Sequence, residues 1–133
     1  MKGFILDSYA LIAYFEDETG AEKVEEVLKQ AENGRADLLM SIINWGEVYY
    51  SIYRSKGEER AEESLLLIEQ LPIKVLDADR SLIYHAARLK ATHPIALGDC
   101  IATALAINLN YSVLTGDKEF KKLGDQVKIE WIR

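Results

Sequence analysis

Short β-branched apolar runs alternate with longer segments of helical periodicity along this whole sequence, and that alternation leaves few folds open. Phe4-Ile5-Leu6 reads as a short buried strand with an abrupt polar end. Ser8 is placed to cap a helix around residues 9–15. Across 19–33, Val24, Val27, Leu28 and Ala31 recur at i, i+3, i+4 and i+7 with Glu and Lys opposite, an amphipathic helix ended by Asn33-Gly34. Leu38-Leu39-Met40 is a second strand, and Ser41 or Asn44 begins a helix reaching about Lys56. Gly57 stops that helix and restarts another to Gln70. Pro72 precedes a strand over 73–76, and Asp79 caps a helix over 80–91. Thr92-His93-Pro94 interrupts, because proline and the residue before it resist helix. Residues 97–108 are helical, 111–114 a strand, 118–123 a short helix and 127–131 a last strand. Strands alternating with helices predict an α/β fold, a central mostly parallel β-sheet flanked by helices on both faces. With no repeat or linker, 133 residues read as a single domain, 1–133.

Bulk properties remove several function classes. No apolar run approaches the roughly 18 residues of a membrane span, and no basic-then-apolar leader opens the chain. The lone Cys100 allows no internal disulfide, which fits a reducing cytosol, so a cytoplasmic location is expected. His85, His93 and Cys100 cannot build a structural zinc site. A net charge of -6 argues against a protein that grips long duplexes by its surface. It argues less against an enzyme that binds RNA locally, where bound cations would invert the charge of the site. It also suits a basic protein partner.

Asp7, Glu47, Asp99 and Asp117 stand beside apolar or helix-forming segments, where an unpaired acid is a liability. Asp7 and Asp117 follow strands, and in open α/β sheets ligands bind outside the carboxyl ends of strands. Glu47 shares a helical face with Tyr50, Ser51 and Arg54. Asp99 has Ala102 and Thr103 as helical neighbours, small side chains expected to leave space for a metal and a phosphate. Taken singly, an Asp after a strand is more often a turn or helix cap than a ligand. Taken together, two carboxylates about 5 Å apart repel by roughly 3 kcal/mol at an effective dielectric near 20. Several such pairs rival a domain's whole stability of about 5–15 kcal/mol. Protons can relieve this through raised pKa values, or a divalent cation can. Oxygen-only donors favour Mg²⁺ or Mn²⁺.

In four motifs the sequence resembles a PIN-domain ribonuclease, specifically a VapC-type toxin of a type II toxin–antitoxin system. Ile5-Leu6-Asp7-Ser8 leading into an apolar helix is the first. Ser41 through Glu47-Val48 is the second, and Leu97-Gly98-Asp99 opening an Ala-rich helix is the third. The fourth and most specific is Leu114-Thr115-Gly116-Asp117-Lys118-Glu119-Phe120. The resemblance covers essentially the whole chain. It implies a PIN-like fold and a Mg²⁺- or Mn²⁺-dependent endoribonuclease in which Asp7, Glu47, Asp99 and Asp117 hold the metal and orient water. Asp7 and Asp99 are then the first choice for direct ligands, with Ser8 and Thr115 as supporting hydrogen-bonders. It further implies RNA as substrate, a cognate antitoxin, a homodimer and a possible larger toxin–antitoxin assembly. Glu119 stands where some members carry another Asp, which leaves an accessory ligand role open.

Other features divide between bland and sharp readings. Trp45, Tyr49, Ile52 and Tyr53 form a stripe that suits either the core or a partner surface. Arg54 and Lys118, with Lys56, Arg60, Lys121 and Lys122, are candidates for RNA phosphate contact, with solvated surface the default. Cys100 points about 100° from Asp99 on a helix, which favours the core. A haloacid-dehalogenase-like phosphatase needs a second Asp where Tyr9 stands, and a receiver domain needs an acidic pair that Asp7 lacks. The remaining alternatives are a PIN-like nuclease acting on single-stranded or flap DNA, and a non-catalytic RNA- or protein-binding module.

Overall fold

The structure, a computed structural model, describes residues 1–133. Five strands, β1 (Lys2–Leu6), β2 (Ala36–Ser41), β3 (Lys74–Leu76), β4 (Ser112–Thr115) and β5 (Lys128–Trp131), form one sheet in the order β3-β2-β1-β4-β5. Every pairing is parallel, so the sheet expected to be mostly parallel is entirely so. Six helices connect the strands: α1 (Ser8–Phe15), α2 (Ala21–Glu32), α3 (Ile42–Lys56), α4 (Glu58–Gln70), α5 (Arg80–Thr92) and α6 (Leu97–Leu109). A 3-10 segment, Lys118–Gln126, joins β4 to β5.

Alternation along the strands builds two cores. Phe4 and Leu6 face one side with Leu38, Met40 and Leu114, packing against Ala10, Val24, Val48 and Ile68 from α1 to α4. Ile5, Leu39 and Val113 face the other, against Leu82, Ala86, Ile101 and Leu105 from α5 and α6. Side chains on a strand point alternately to opposite faces, so an all-apolar run such as Phe4-Ile5-Leu6 requires cover on both. Each such fully buried side chain contributes about 1.5–3 kcal/mol.

Connectivity then sets where a crevice opens. The chain moves outward from β1 through β2 to β3, returns through α5 and α6, and adds β4 on the other side of β1. The two directions of winding diverge at β1 and β4, and a sheet wound this way leaves its crevice outside the carboxyl ends of that pair. No helix is long and apolar enough to cross a membrane.

Local differences from the sequence reading have physical causes. Asp7, not Ser8, caps α1: its Oδ1 accepts from the Ala10 N–H at 2.9 Å, and Ser8 is the first helical residue. Ser41 rather than Asn44 caps α3, accepting from the Ile43 N–H at 3.1 Å. α2 starts at Ala21 rather than Thr19, after Gly20 takes a φ of 100°. The expected short helix over 118–123 is 3-10 and runs on to Gln126 through Gly124, whose φ of 58° breaks regular helix.

Candidate active site

Asp7 leaves β1 at the crevice and is almost completely buried. Its two oxygens have separate partners. Oδ1 caps α1 through Ala10, and Oδ2 accepts from the Thr115 hydroxyl at 2.5 Å. Thr115 ends β4, the strand beside β1, so this bond spans the divergence point of the sheet. The same Thr115 oxygen accepts from the Asp117 N–H at 3.0 Å. One hydroxyl therefore fixes the Asp7 carboxylate and the turn that carries Asp117.

Glu47 arrives from α3 and is anchored by a residue one helical turn earlier. Asn44, buried in the interior, donates through Nδ2 to Glu47 Oε1 at 2.7 Å and to the Gly98 carbonyl at 3.2 Å. That amide ties α3 to the first turn of α6. Gly98 lets the tie form: a Cβ there would lie 2.5 Å from Glu47 Cδ, inside the carboxylate. Asp99 follows in the first turn of α6, less buried than Asp7. Asn44→Ala should release Glu47 from its anchor and remove the tie to α6, destabilising the protein by about 1 kcal/mol, read from urea denaturation.

Electrostatics record the convergence. Asp7 is pushed up to about 7, first by burial, against the opposing Thr115 and Ala10 hydrogen bonds, and further by the charges of Asp99 and Asp117. Asp99 is also pushed up to about 7, by desolvation first and then by Asp117, Glu47 and Glu119. Each of the four sequence-predicted acids thus bears on at least one other. Glu119 reaches Asp99 electrostatically, while its carboxylate pairs with Lys122 at 3.0 Å on the surface.

The residues suit a hard divalent cation by chemistry. All donors are oxygens, two acids are held near the threshold of ionisation by burial first and then by their neighbours, and Gly98 gives Glu47 the space to approach. No three of the carboxylates form a ready-made coordination set as they stand. Glu47 is held by the Asn44 amide against the first turn of α6.

Several expectations are corrected. Ala102 and Thr103 do not leave space beside Asp99, since both are wholly buried and Thr103 Oγ1 donates to the Asp99 carbonyl at 2.7 Å. The room comes from Gly98. Ser8 takes no part in the hydrogen bonds around Asp7, because the capping role it was assigned belongs to Asp7 itself. Arg54 is exposed on α3 with its guanidinium 4.9 Å from the Tyr50 ring centroid, and it pairs with none of the four acids. Lys118 is exposed and lines a cleft beside Gly116. Cys100 is in the core, where burial raises its thiol. The Trp45 stripe divides: Ile52 is buried, Trp45 and Tyr49 pack partly against the core, and Tyr53 is exposed. In the sequence Asn44 reads only as a candidate cap. Its signal was position, three residues before Glu47 and so on the same helical face.

The PIN domain family model matches residues 4–126, nearly the whole chain. The chain belongs to the PIN domain family. Comparison with curated protein sequences gives no match. Among solved structures, this PIN domain resembles a chain of VapBC2 from Rickettsia felis, bound to a DNA fragment from its promoter, at TM-score 0.76 and 17% identity, covering 96% of this chain and 97% of that one. DNA-bound VapBC from Salmonella typhimurium matches at TM-score 0.76 and 20% identity, over 100% of both chains. VapC20 from Mycobacterium tuberculosis, described as a sarcin-ricin loop cleaving toxin, matches at TM-score 0.74 and 12% identity, over 91% of this chain and 95% of that one. At these identities the likeness is one of fold, and the PIN fold expected from the motifs is the one observed.

Proposed function

We propose that residues 1–133 form a single PIN domain that acts as a VapC-like toxin: a metal-dependent endoribonuclease, neutralised by a cognate antitoxin. The observation that carries this reading is the meeting of Asp7 and Asp99, with Asp117 and Glu47, at the carboxyl ends of β1 and β4 in a chain of the PIN family. The VapBC and VapC20 likenesses support the toxin assignment. Bound Mg²⁺ or Mn²⁺ would polarise the phosphodiester and increase the nucleophilicity of water. Asp7, held at both oxygens, is the rigid ligand. Asp99 is the second, Glu47 is aimed by Asn44, and Asp117 is placed by the Thr115 hydroxyl. Hydrolysis leaves a 5′-phosphate and a 3′-hydroxyl.

Incubation of purified protein with total RNA, with Mn²⁺ or Mg²⁺ and then with chelator, tests the reading. Discrete cleavage that disappears on chelation and maps to 5′-phosphate ends is expected. Intact RNA alongside cut single-stranded or flap DNA would replace this reading with the DNA nuclease. No cleavage of either would favour the binding module.

The same acids predict a pH-dependent stability. Asp7 and Asp99 are pushed up to about 7 in the folded protein, from 3.8 for a free aspartate carboxyl. Between these values the native state binds more protons than the unfolded chain, so stability falls as pH rises from about 4 to about 7. The loss is fully present above 7 and amounts to a few kcal/mol for the coupled pair, on the order set by 1.36 kcal/mol per unit. In chelator, Tm should be lower at pH 8 than at pH 5.5. Added Mn²⁺ should raise Tm more at pH 8, where both acids are ionised. A metal response independent of pH would contradict the assignment of these two ligands.

Partner surfaces are proposed on α3 and α4, where Tyr50, Tyr53, Leu66 and Leu67 are exposed. Apolar groups so placed suit a homodimer contact or an antitoxin segment, and the net charge of -6 favours a basic one. Purified protein should run as a dimer at micromolar concentration, and a clean monomer by light scattering would refute that. Toxin, RNA and antitoxin would then meet in the cytoplasm.

A further inference from the structure

One cleft adjoins the acid site and carries the opposite charge. Gly116, Lys118, Lys121, Trp131 and Arg133 line a cavity of about 480 Å³, within the size range of pockets for nucleotide-sized ligands. In a chain of net charge -6, no acid is among these five residues. Lys118, Lys121 and Arg133 are all exposed, and none is paired with a carboxylate. Three uncompensated cations around one cavity attract an anion.

Its position is set by strand register. Trp131 ends β5 directly opposite Thr115 at the end of β4, and the Ile132 N–H donates to the Thr115 carbonyl at 3.1 Å. Neighbouring strands lie about 4.8 Å apart, so the indole stands one strand beyond the residue that holds Asp7. Gly116 floors the cleft and directly precedes Asp117 in the chain, so acid site and basic cleft share a wall. A Cβ at Gly116 would lie 2.6 Å from the Tyr9 ring, so that wall admits only glycine without displacing Tyr9. The Tyr9 ring lies 5.5 Å from the Arg133 guanidinium, whose Nε donates to the Gly116 carbonyl at 3.3 Å. Lys121 Nζ lies 5.9 Å from the Trp131 ring centroid. The cleft therefore offers a half-buried indole with the flexible, exposed Lys121 over its ring and Lys118 and Arg133 lining the same cavity, and a base that displaces the Lys121 ammonium from the ring meets that charge at its phosphate.

We infer that this cleft is a subsite for one nucleotide of single-stranded RNA adjoining the bond to be cut, its base stacked on Trp131 and its phosphate held by Lys118, Lys121 and Arg133. That role rests on the acid cluster being the hydrolytic centre. The subsite selects unpaired RNA, because a base within a duplex has no free face to present to the indole. It also explains how a chain acidic overall engages a polyanion: contact is confined to one cleft on the far side of β4 from the core of the acid cluster.

Binding and cleavage are measured separately. In an Asp99→Asn background, Trp45→Phe leaves Trp131 as the only indole. A short unpaired oligoribonucleotide should then quench its fluorescence saturably. Trp131→Ala should weaken binding at least tenfold by fluorescence anisotropy of labelled RNA. The double variant Lys118→Ala/Lys121→Ala alters two exposed residues and cannot be dismissed as misfolded. It should weaken binding at least tenfold and reduce the salt slope by about 1.4, two single-strand phosphate contacts. With Asp99 intact, that double variant should raise KM with little change in kcat. An abasic strand of equal length should bind about tenfold more weakly. Unquenched Trp131 at saturating RNA, equal affinity for the abasic strand, or unchanged KM and salt slope in the lysine variant would each overturn the subsite. Should Asp99→Asn retain full cleavage, the hydrolytic reading fails, while the quenching result still decides the cleft.

Discussion

Asp99→Asn should yield a folded protein that no longer cleaves RNA. The loss should be at least about 10³-fold in kcat, because on the proposed reading the substitution would remove a ligand charge at the reacting phosphate rather than a distant binding contact. Asp99 is pushed up to about 7 by burial and then by Asp117, Glu47 and Glu119, so its charge is unfavourable in the metal-free fold. Removing that charge should therefore raise Tm in chelator at pH 8, while the Tm gain on adding Mn²⁺ shrinks. Activity and metal-free stability move in opposite directions, which separates a functional acid from a structural one. Full activity in a folded Asp99→Asn protein would remove the hydrolytic assignment of the whole cluster. Asp7→Asn should lose activity similarly. Its Oδ1 can still cap α1, but its amide would face the Thr115 hydroxyl as a donor in place of the present acceptor.

Gly98→Ala should be the most damaging substitution that replaces no acid. The added Cβ would fall within the Glu47 carboxylate, 2.5 Å from its Cδ. Glu47 is the end of a flexible side chain, so it moves and the helix does not. Its hydrogen bond from Asn44 is lost with that movement. Displacement of a catalytic group by about 1 Å costs on the order of 10²-fold in rate. Stability responds differently. Alanine gains up to about 1 kcal/mol over glycine inside a helix, against about 1 kcal/mol for the lost hydrogen bond. Cleavage should fall about 10²-fold while the urea midpoint shifts little. A large loss of stability would show that Gly98 serves packing. Unchanged cleavage would show that Glu47 is dispensable.

Much of this fold was legible in one dimension because its signals are local. Phe4-Ile5-Leu6 announces a strand covered on both faces, since three consecutive apolar residues cannot all be buried from one side. Val24, Val27 and Leu28 announce the stripe of α2. Local signals mislead where a feature has two physical uses. Ser8 looked like the cap of α1 because serine caps helices well, yet Asp7 caps equally well and stands one residue earlier. Ala102 and Thr103 looked like open space because they are small, but the packing of α6 on the sheet buries both. In the segment after β4, the apolar pattern could not distinguish α from 3-10, and the positive φ of Gly124 kinks the segment beyond the expected helix.

The amino-acid order alone determined the alternating elements, the placement of Asp7 and Asp117 after strands, and the PIN motifs, because each depends on neighbours within a few residues. Tertiary structure alone decided that β4 lies beside β1, that Thr115 reaches Asp7 across 108 positions, and that Asn44 bridges Glu47 to Gly98 across 54. It also brought Trp131 opposite Thr115. Burial and charge–charge repulsion depend on distances in space, and those distances do not exist until the sheet has paired.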